Sequence, residues 1–389
     1  MTTMQEEKHI HSGSRKTVKF GDVVRDVKES EKNPLENGLD RYVGLEHIEP
    51  ENLRLSQWGD LTQDEVSFTK RFRKGQVLFA KRRAYQRKVA VADFDGICSS
   101  DILTFEPKGD DLLPELLPYI VQSDAFFDHA LGTSSGSLSP RTRWSQLKDF
   151  EFPLPPKEEQ RRIAEVLEAV SLVRSTSADT LHSLNDVFHS ISENHFRLMR
   201  RKDCPKNWKR AYLGDFFEHR KETGFSEPEI LAVTISGQIV PRRSLERNVI
   251  DKTGNEKYFR VETGDIVYNT MRMWQGSCGV VPNTGLVSPA YTVLSPKMDA
   301  NLIEYWNMAF HSSRLLDVFK RFSVGVAADR WRLYYRDFSK IWINVPPDRE
   351  KIRMQELLCE LRSKSQKIEE KVALELKLMR SLGELLLRK

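Results

Sequence analysis

The segment Lys81-Arg82-Arg83-Ala84-Tyr85-Gln86-Arg87-Lys88 crowds lysine and arginine around one aromatic, with no acid among them. Clustered lysine and arginine neutralise phosphates, and arginine also forks onto guanine O6 and N7 in the major groove. The segment has a counterpart about 190 residues later in Thr270-Met271-Arg272-Met273-Trp274-Gln275-Gly276-Ser277, where Arg272, Trp274 and Gln275 are candidate base contacts. A second pair of loops runs from Gly132 to Arg143, with Ser137, Arg141 and Arg143, and from Gly325 to Arg332, with Arg330 and Arg332. Small residues there let backbone N–H groups approach phosphates, on which the arginines can anchor. A basic loop alone is commonly a solvated surface. Its recurrence at matched positions is what favours nucleic-acid binding by Lys81, Arg82, Arg83, Tyr85, Arg87 and Lys88.

Patterns that would do covalent chemistry fail on spacing. The cysteines Cys98, Cys204, Cys278 and Cys359 lie far apart, which argues against a zinc site and against a secreted disulfide framework. His182 and His189 have no carboxylate partner at ligand spacing, and His195 reads as a helix histidine. No GxxxxGK[ST] phosphate loop is present. Asp348-Arg349-Glu350-Lys351 has the wrong spacing for acids that share a metal ion. Asn344-Val345-Pro346-Pro347 approaches the Asn-Pro-Pro-aromatic motif of adenine methyltransferases, but a valine interrupts it and no aromatic follows. The expectation is a chain that binds rather than catalyses, with no metal of its own.

At 389 residues, 39% hydrophobic and 30% charged, the chain suits two or three folded domains rather than a disordered state. No apolar run is long enough for a membrane span, and Met1 to Lys16 lacks the apolar core of a signal peptide, so a cytoplasmic, membrane-free protein is expected. The second half restates the first. Phe20-Gly21-Asp22 matches Leu213-Gly214-Asp215, Gly75-Gln76-Val77-Leu78-Phe79 matches Gly264-Asp265-Ile266-Val267-Tyr268, and Ile97 to Pro107 matches Leu286 to Pro296. Each half then reaches a double proline, Pro155-Pro156 and Pro346-Pro347, which ends a strand and can start a helix.

After each double proline, apolar residues step by threes and fours. The first series carries Ile163, Leu167, Val170, Arg174, Leu181, Leu184, Phe188 and Ile191. The second carries Met354, Leu358, Leu361, Ile368, Val372, Glu375, Met379, Leu382 and Leu386 in the same register. Such a stripe is a coiled-coil seam, and each helix would run roughly 60 Å at about 1.5 Å per residue. An ordinary amphipathic helix lying on its own domain is the plainer alternative, but the length and the narrow stripe favour pairing. The expected fold is α+β, with two similar globular domains separated by two long helices that form an antiparallel coiled coil. The expected boundaries are 14–154, 155–204, 205–345 and 346–389. Antiparallel pairing about the centre of the seam would set Arg174 opposite Glu375.

The run Pro153-Leu154-Pro155-Pro156-Lys157-Glu158-Glu159-Gln160-Arg161-Arg162-Ile163-Ala164 resembles the signature that opens the spacer helices of type I restriction-modification specificity subunits. Pro205-Lys206-Asn207-Trp208 followed by Leu213-Gly214-Asp215 is similar to the same family's domain start, whereas Asp348 to Lys351 departs from its Glu-Glu-Gln. The resemblance implies two target-recognition domains that read a bipartite, asymmetric site in double-stranded DNA. It implies two docked methyltransferase subunits and, optionally, restriction subunits that translocate DNA. S-adenosylmethionine, ATP and Mg would belong to those partners and none to this chain. The alternatives are a non-catalytic coiled-coil scaffold and a specificity module of another methyltransferase-based defence system.

Overall fold

Both copies of the repeat fold through one strand order. The computed structural model describes residues 15–136, 139–224, 229–245, 257–325 and 331–387. The chain divides into two compact units, Met1–Asp179 with Ile368–Lys389, and Thr180–Lys367. The divisions fall inside the long helices Lys157–Phe196 and Asp348–Leu386. Compactness therefore groups each globular part with half of each long helix.

In the first unit a four-stranded antiparallel sheet runs Val24–Asp26, Ile102–Pro107, Val77–Ala80, Val89–Val91. Every residue of Val77–Ala80 is buried, as an apolar central strand requires. A second sheet runs Gly59–Asp60, Arg41–Val43, Gly96–Cys98, Lys70–Phe72, with Arg41–Val43 parallel to Gly96–Cys98. The second unit repeats both orders. Its sheets run Phe217–Arg220, Tyr291–Pro296, Ile266–Asn269, Cys278–Val280, and Ile239–Pro241, Ile230–Val233, Gly285–Val287, Phe259–Val261. The parallel pair recurs as Ile230–Val233 with Gly285–Val287. Short ribbons, Lys16–Lys19 with Glu151–Leu154 and Lys209–Tyr212 with Trp342–Val345, close each globular part just before its double proline.

The signature at the start of the first long helix has a packing reason. Gln160 is fully buried, and its side-chain amide donates to the carbonyls of Asp111 (2.8 Å) and Pro155 (2.9 Å) and accepts from Leu113 N–H (2.9 Å). Glutamine satisfies three backbone groups that apolar packing would orphan. The matching residue of the second unit is Lys351. Its buried Nζ sits 5.6 and 5.7 Å from the rings of Phe216 and Trp306 and pairs with Asp348 at 2.7 Å. A cation over aromatic faces there takes the place of the amide network.

Within each unit the helix halves run antiparallel. In the first, Ser177 Oγ donates to Glu375 (3.3 Å), while Arg15 joins the carbonyl of Leu386 to Glu159. Ile163, Leu167 and Val170 share one apolar cluster with Met379, Leu382 and Leu386. In the second, Phe188 and Ile191 share a cluster with Met354 and Leu358, and Arg362 lies over the Phe188 ring. Leu181, Leu184, Leu361, Ile368 and Val372 are half-buried. The pairing of Arg174 with Glu375 is corrected: among the described residues they make no ion pair. The guanidinium of Arg174 donates to the carbonyl of Glu51 (2.8 Å), and Glu375 receives Ser177 and Lys371 instead. Burial holds the Arg174 pKa below its ordinary value against the opposing pull of Glu51, Glu375 and Glu49. A carbonyl offered by a tight turn satisfies the guanidinium without a second charge to desolvate.

His195 is buried in the second unit, with Nε2 2.9 Å from the hydroxyl of Tyr305, and burial pushes its pKa down to about 4. The imidazole is therefore neutral when folded. The unfolded chain binds a proton below about pH 6.5, so this contribution is complete above that pH and is lost as pH falls toward 4. Urea unfolding should show the second unit losing about 2 kcal/mol through His195 between pH 7.5 and 5. His195→Gln should flatten that loss, and an unaltered pH dependence would refute the assignment.

Candidate nucleic-acid interface

The strand Val77–Ala80 runs into Lys81, where backbone hydrogen bonds knit the basic segment to the second loop. Lys81 N–H donates to Asp101 O (3.0 Å), Thr142 N–H to Lys81 O (3.0 Å), and Arg83 N–H to Pro140 O (2.8 Å). Isolated bridges join Arg82 to Arg141 and Ser135 to Arg141. Two segments some 50 residues apart in sequence thus form one surface. Between them the turn Ala84–Gln86 is flanked by Arg83 and Arg87, both left-handed at φ 55° and 53°. Side chains rarely adopt that conformation without a compensating contact.

The basic residues divide into tied and exposed ones. Arg87 pairs with Glu51 (3.0 Å) and Asp124 (2.7 Å), donates to Gln122 O (2.9 Å) and lies over the Phe127 ring. Lys88 Nζ donates to Leu45 O (2.7 Å). Arg141 forks onto Asp101 at 3.0 and 3.2 Å, which raises its pKa further, and Arg82 donates to Ser139 Oγ (2.6 Å) beside the same aspartate. Arg83, Tyr85 and Arg143 are exposed, and Lys81 is half-buried. Ser137 and Arg330 lie outside the described residues.

The second unit builds the same frame. Thr270 N–H donates to Ala290 O (3.1 Å) and Leu333 N–H to Thr270 O (2.9 Å), the counterparts of the Lys81 and Thr142 bonds. The turn Met273–Gln275 ends at Gly276, left-handed at φ 85°, where the first unit has Arg87. Trp274 meets Trp331 edge to face at 5.9 Å, and Lys320 Nζ stands over both rings. Arg272, Gln275 and Arg332 are exposed. Asp101, which holds two arginines, is matched by Ala290, so the second frame lacks that counter-charge.

Two clefts of about 610 Å³ each meet at Ala290 and Tyr291. One is lined by Lys221, Thr270, Arg332, Tyr334 and Arg336, the other by Arg242, Asn269, Arg272 and Ser288. Sequence reasoning missed Lys221, Arg242, Tyr291, Tyr334 and Arg336. The interleaved Arg332-Leu333-Tyr334-Tyr335-Arg336 was a readable signal, whereas Lys221 and Arg242 reach the clefts only through folding. His219 at the cleft wall is pushed down to about 4 by burial and by Lys221, so its ring is neutral at pH 7.

Residues 16–181 match the family model described as type I restriction modification DNA specificity domain. Over that segment the chain is similar to type I restriction-modification specificity domains. The chain is 28% identical over 181 residues to the type I restriction enzyme EcoDI specificity subunit of Escherichia coli, covering 45% of this chain and 40% of that protein. It is 26% identical over 171 residues to the type I restriction enzyme MjaIX specificity subunit of Methanocaldococcus jannaschii, covering 41% and 39%. The matched segments span about two fifths of these relatives' lengths. In fold the whole chain is similar to the S subunit of a type I restriction-modification system from M. genitalium, at TM-score 0.57 and 14% identity over 98% of both chains. It is likewise similar to a chain from a solved type I R-M system, at TM-score 0.57 and 19% identity over 96% and 98%. The specificity-domain fold is thus present twice. Among the described residues no His, Cys, Asp and Glu group forms a metal-binding cluster, and no helix is long and apolar enough to cross a membrane.

Arg87 tests the division between tied and exposed arginines. Arg87→Ala leaves Glu51 and Asp124 partly uncompensated and should lower the first unit's stability by about 3 kcal/mol in urea unfolding. Arg83→Ala at its exposed site should stay within about 0.5 kcal/mol. Equal effects would show that the ion pairs do not anchor the loop.

Proposed function

We propose that the chain is the DNA sequence-recognition subunit of a type I restriction-modification complex and has no catalytic role of its own. The observation that carries this reading is one hydrogen-bonded loop frame built twice with different side chains, Lys81, Arg82 and Arg83 against Thr270, Met271 and Arg272. Equal frames with unequal surfaces suit two unlike half-sites, hence a bipartite and asymmetric target in duplex DNA. Exposed Arg83, Arg143, Arg272 and Arg332 are the side chains best placed to meet it, whereas Arg87 and Lys88 support the loop.

The long helices also offer surface for protein partners. Val166, Leu172 and Val173 of the first helix and Leu374, Leu378 and Leu385 of the second are exposed in the first unit. Exposed apolar residues outside a seam mark a protein contact when they cluster. In this reading two methyltransferase subunits dock on the helices and bring S-adenosylmethionine, and restriction subunits bring ATP and Mg. The complex would act in the cytoplasm.

Long-read mapping of methylated adenines, in cells that carry the chain with its methyltransferase partner, should yield a split motif with two unlike halves. A palindromic or continuous motif would count against the reading. The full chain bound to duplex carrying that motif should lose affinity steeply with salt.

A further inference from the structure

The helix Ser313–Phe322 of the second unit bears basic residues toward two neighbours. Lys320 stands over Trp274 and Trp331 in the loop frame. Elsewhere on the helix, Arg314 and Arg321 lie close enough to Arg200 for their charges, with that of Arg210, to add to burial in lowering its pKa. Arg200 and Arg210 both stack on Trp342, at 3.8 and 4.2 Å from the ring centroid, and Arg200 also donates to the Trp342 carbonyl at 2.6 Å. One indole thus fixes two guanidinium groups.

No carboxylate among the described residues offsets this cluster at ion-pair distance. Arg314 Nε is buried and has no hydrogen-bond partner among the described residues. Like charges gathered in this way repel, and an anion would relieve them. The fold does not require the cluster. At the matching positions of the first unit, aligned by the Ser123 and Ser312 helix caps and by the closing ribbons, stand Ala125, Gly132, Thr17 and Glu151 in place of Arg314, Arg321, Arg210 and Trp342.

We propose that Arg200, Arg210, Arg314 and Arg321 form a phosphate-backbone site that extends the second unit's grip on duplex DNA beyond its reading loops. The proposal rests on the duplex-binding reading above. Continuity favours the DNA backbone over an acidic peptide, because the helix that carries Arg314 and Arg321 also places Lys320 against the candidate base-contacting Trp274. Planar guanidinium groups fork onto phosphate oxygens without regard to base, so the site adds affinity and not sequence preference.

The test uses the full chain and a duplex carrying its mapped target. Arg210 and Arg321 are both exposed, so the double variant R210Q/R321Q should fold and melt like the wild type. Its plot of log affinity against log salt should lose about 0.9 in slope per residue, with roughly tenfold weaker binding and an unchanged preference for target over mismatched duplex. R210K/R321K should restore most of the slope. Arg272→Ala should instead alter preference. An unchanged slope in folded R210Q/R321Q would overturn the proposal, as would a changed base preference. Weaker capture of the methyltransferase subunit with an unchanged slope would overturn it in favour of a protein ligand. If the wild type itself shows no salt-dependent duplex binding, the underlying reading fails and this one falls with it.

Discussion

A helix of 40 residues with one narrow apolar stripe must set that stripe against another of similar length. Everything else in the chain is arranged around this demand. Each globular part ends in a double proline that releases the backbone straight into a long helix, and each compact unit takes in half of both helices. The seam is not uniformly apolar. Ser177 and Glu375 meet in it, and Lys371 lies beside them. A slip by one heptad would put Val170 or Leu184 opposite the Glu375 carboxylate in place of Ser177, leaving it only Lys371 of its own helix. A buried carboxylate that loses a hydrogen-bond donor to an apolar neighbour is destabilised, so the Ser177 contact selects the register even though it adds little stability.

The first unit couples that seam to its basic loop through one residue. Glu51 is left-handed at φ 59°, as are Arg83 and Arg87, and among the described residues these are the non-glycine positions of that kind. Its carbonyl receives Arg174 of the first long helix, its carboxylate pairs with Arg87 and with Arg380 of the second long helix, and its N–H donates to the Arg87 carbonyl. Two strained residues therefore hold each other through main chain and side chain. The left-handed conformation costs roughly 1 kcal/mol per residue, and ion pairs shielded from water can offset it. In the second unit Gly276 stands where Arg87 does, so the turn forms without strain and without a tie from that position. The two copies reach one backbone path by opposite means.

The large features were legible in the sequence because they are periodic. The repeat, the double prolines and the three-and-four stepping each recur over many residues, so no single side chain decides them. What was not legible depends on partners distant in sequence. Nothing around Gln160 signals that Asp111, Leu113 and Pro155 will offer it three backbone groups, nor that Lys351 will replace it by lying over Phe216 and Trp306. Within the basic run, Arg83 and Arg87 read alike. Only the approach of Glu51 and Asp124 makes one a strut and leaves the other in solvent. Seam arithmetic brought Arg174 near Glu375, but the carbonyl of Glu51 that claims the guanidinium belongs to a loop the helical pattern does not describe.

The loop frame shows why two copies of one fold can carry different chemistry. Its defining bonds, Lys81 to Asp101 and Thr142 to Lys81 in one unit and Thr270 to Ala290 and Leu333 to Thr270 in the other, run between backbone groups. Any residue but proline can stand at the donor positions without disturbing the bond. Lysine can become threonine and aspartate alanine while the turn keeps its path. The identities are then free to set charge. Asp101 neutralises arginines on the first surface, and Ala290 leaves Arg272 and Arg332 without that counter-charge on the second. A frame held by side-chain contacts would have tied surface charge to stability, because each altered contact would also loosen the loop. A frame held by the backbone separates the two, which lets surface chemistry diverge between the two copies at little structural cost.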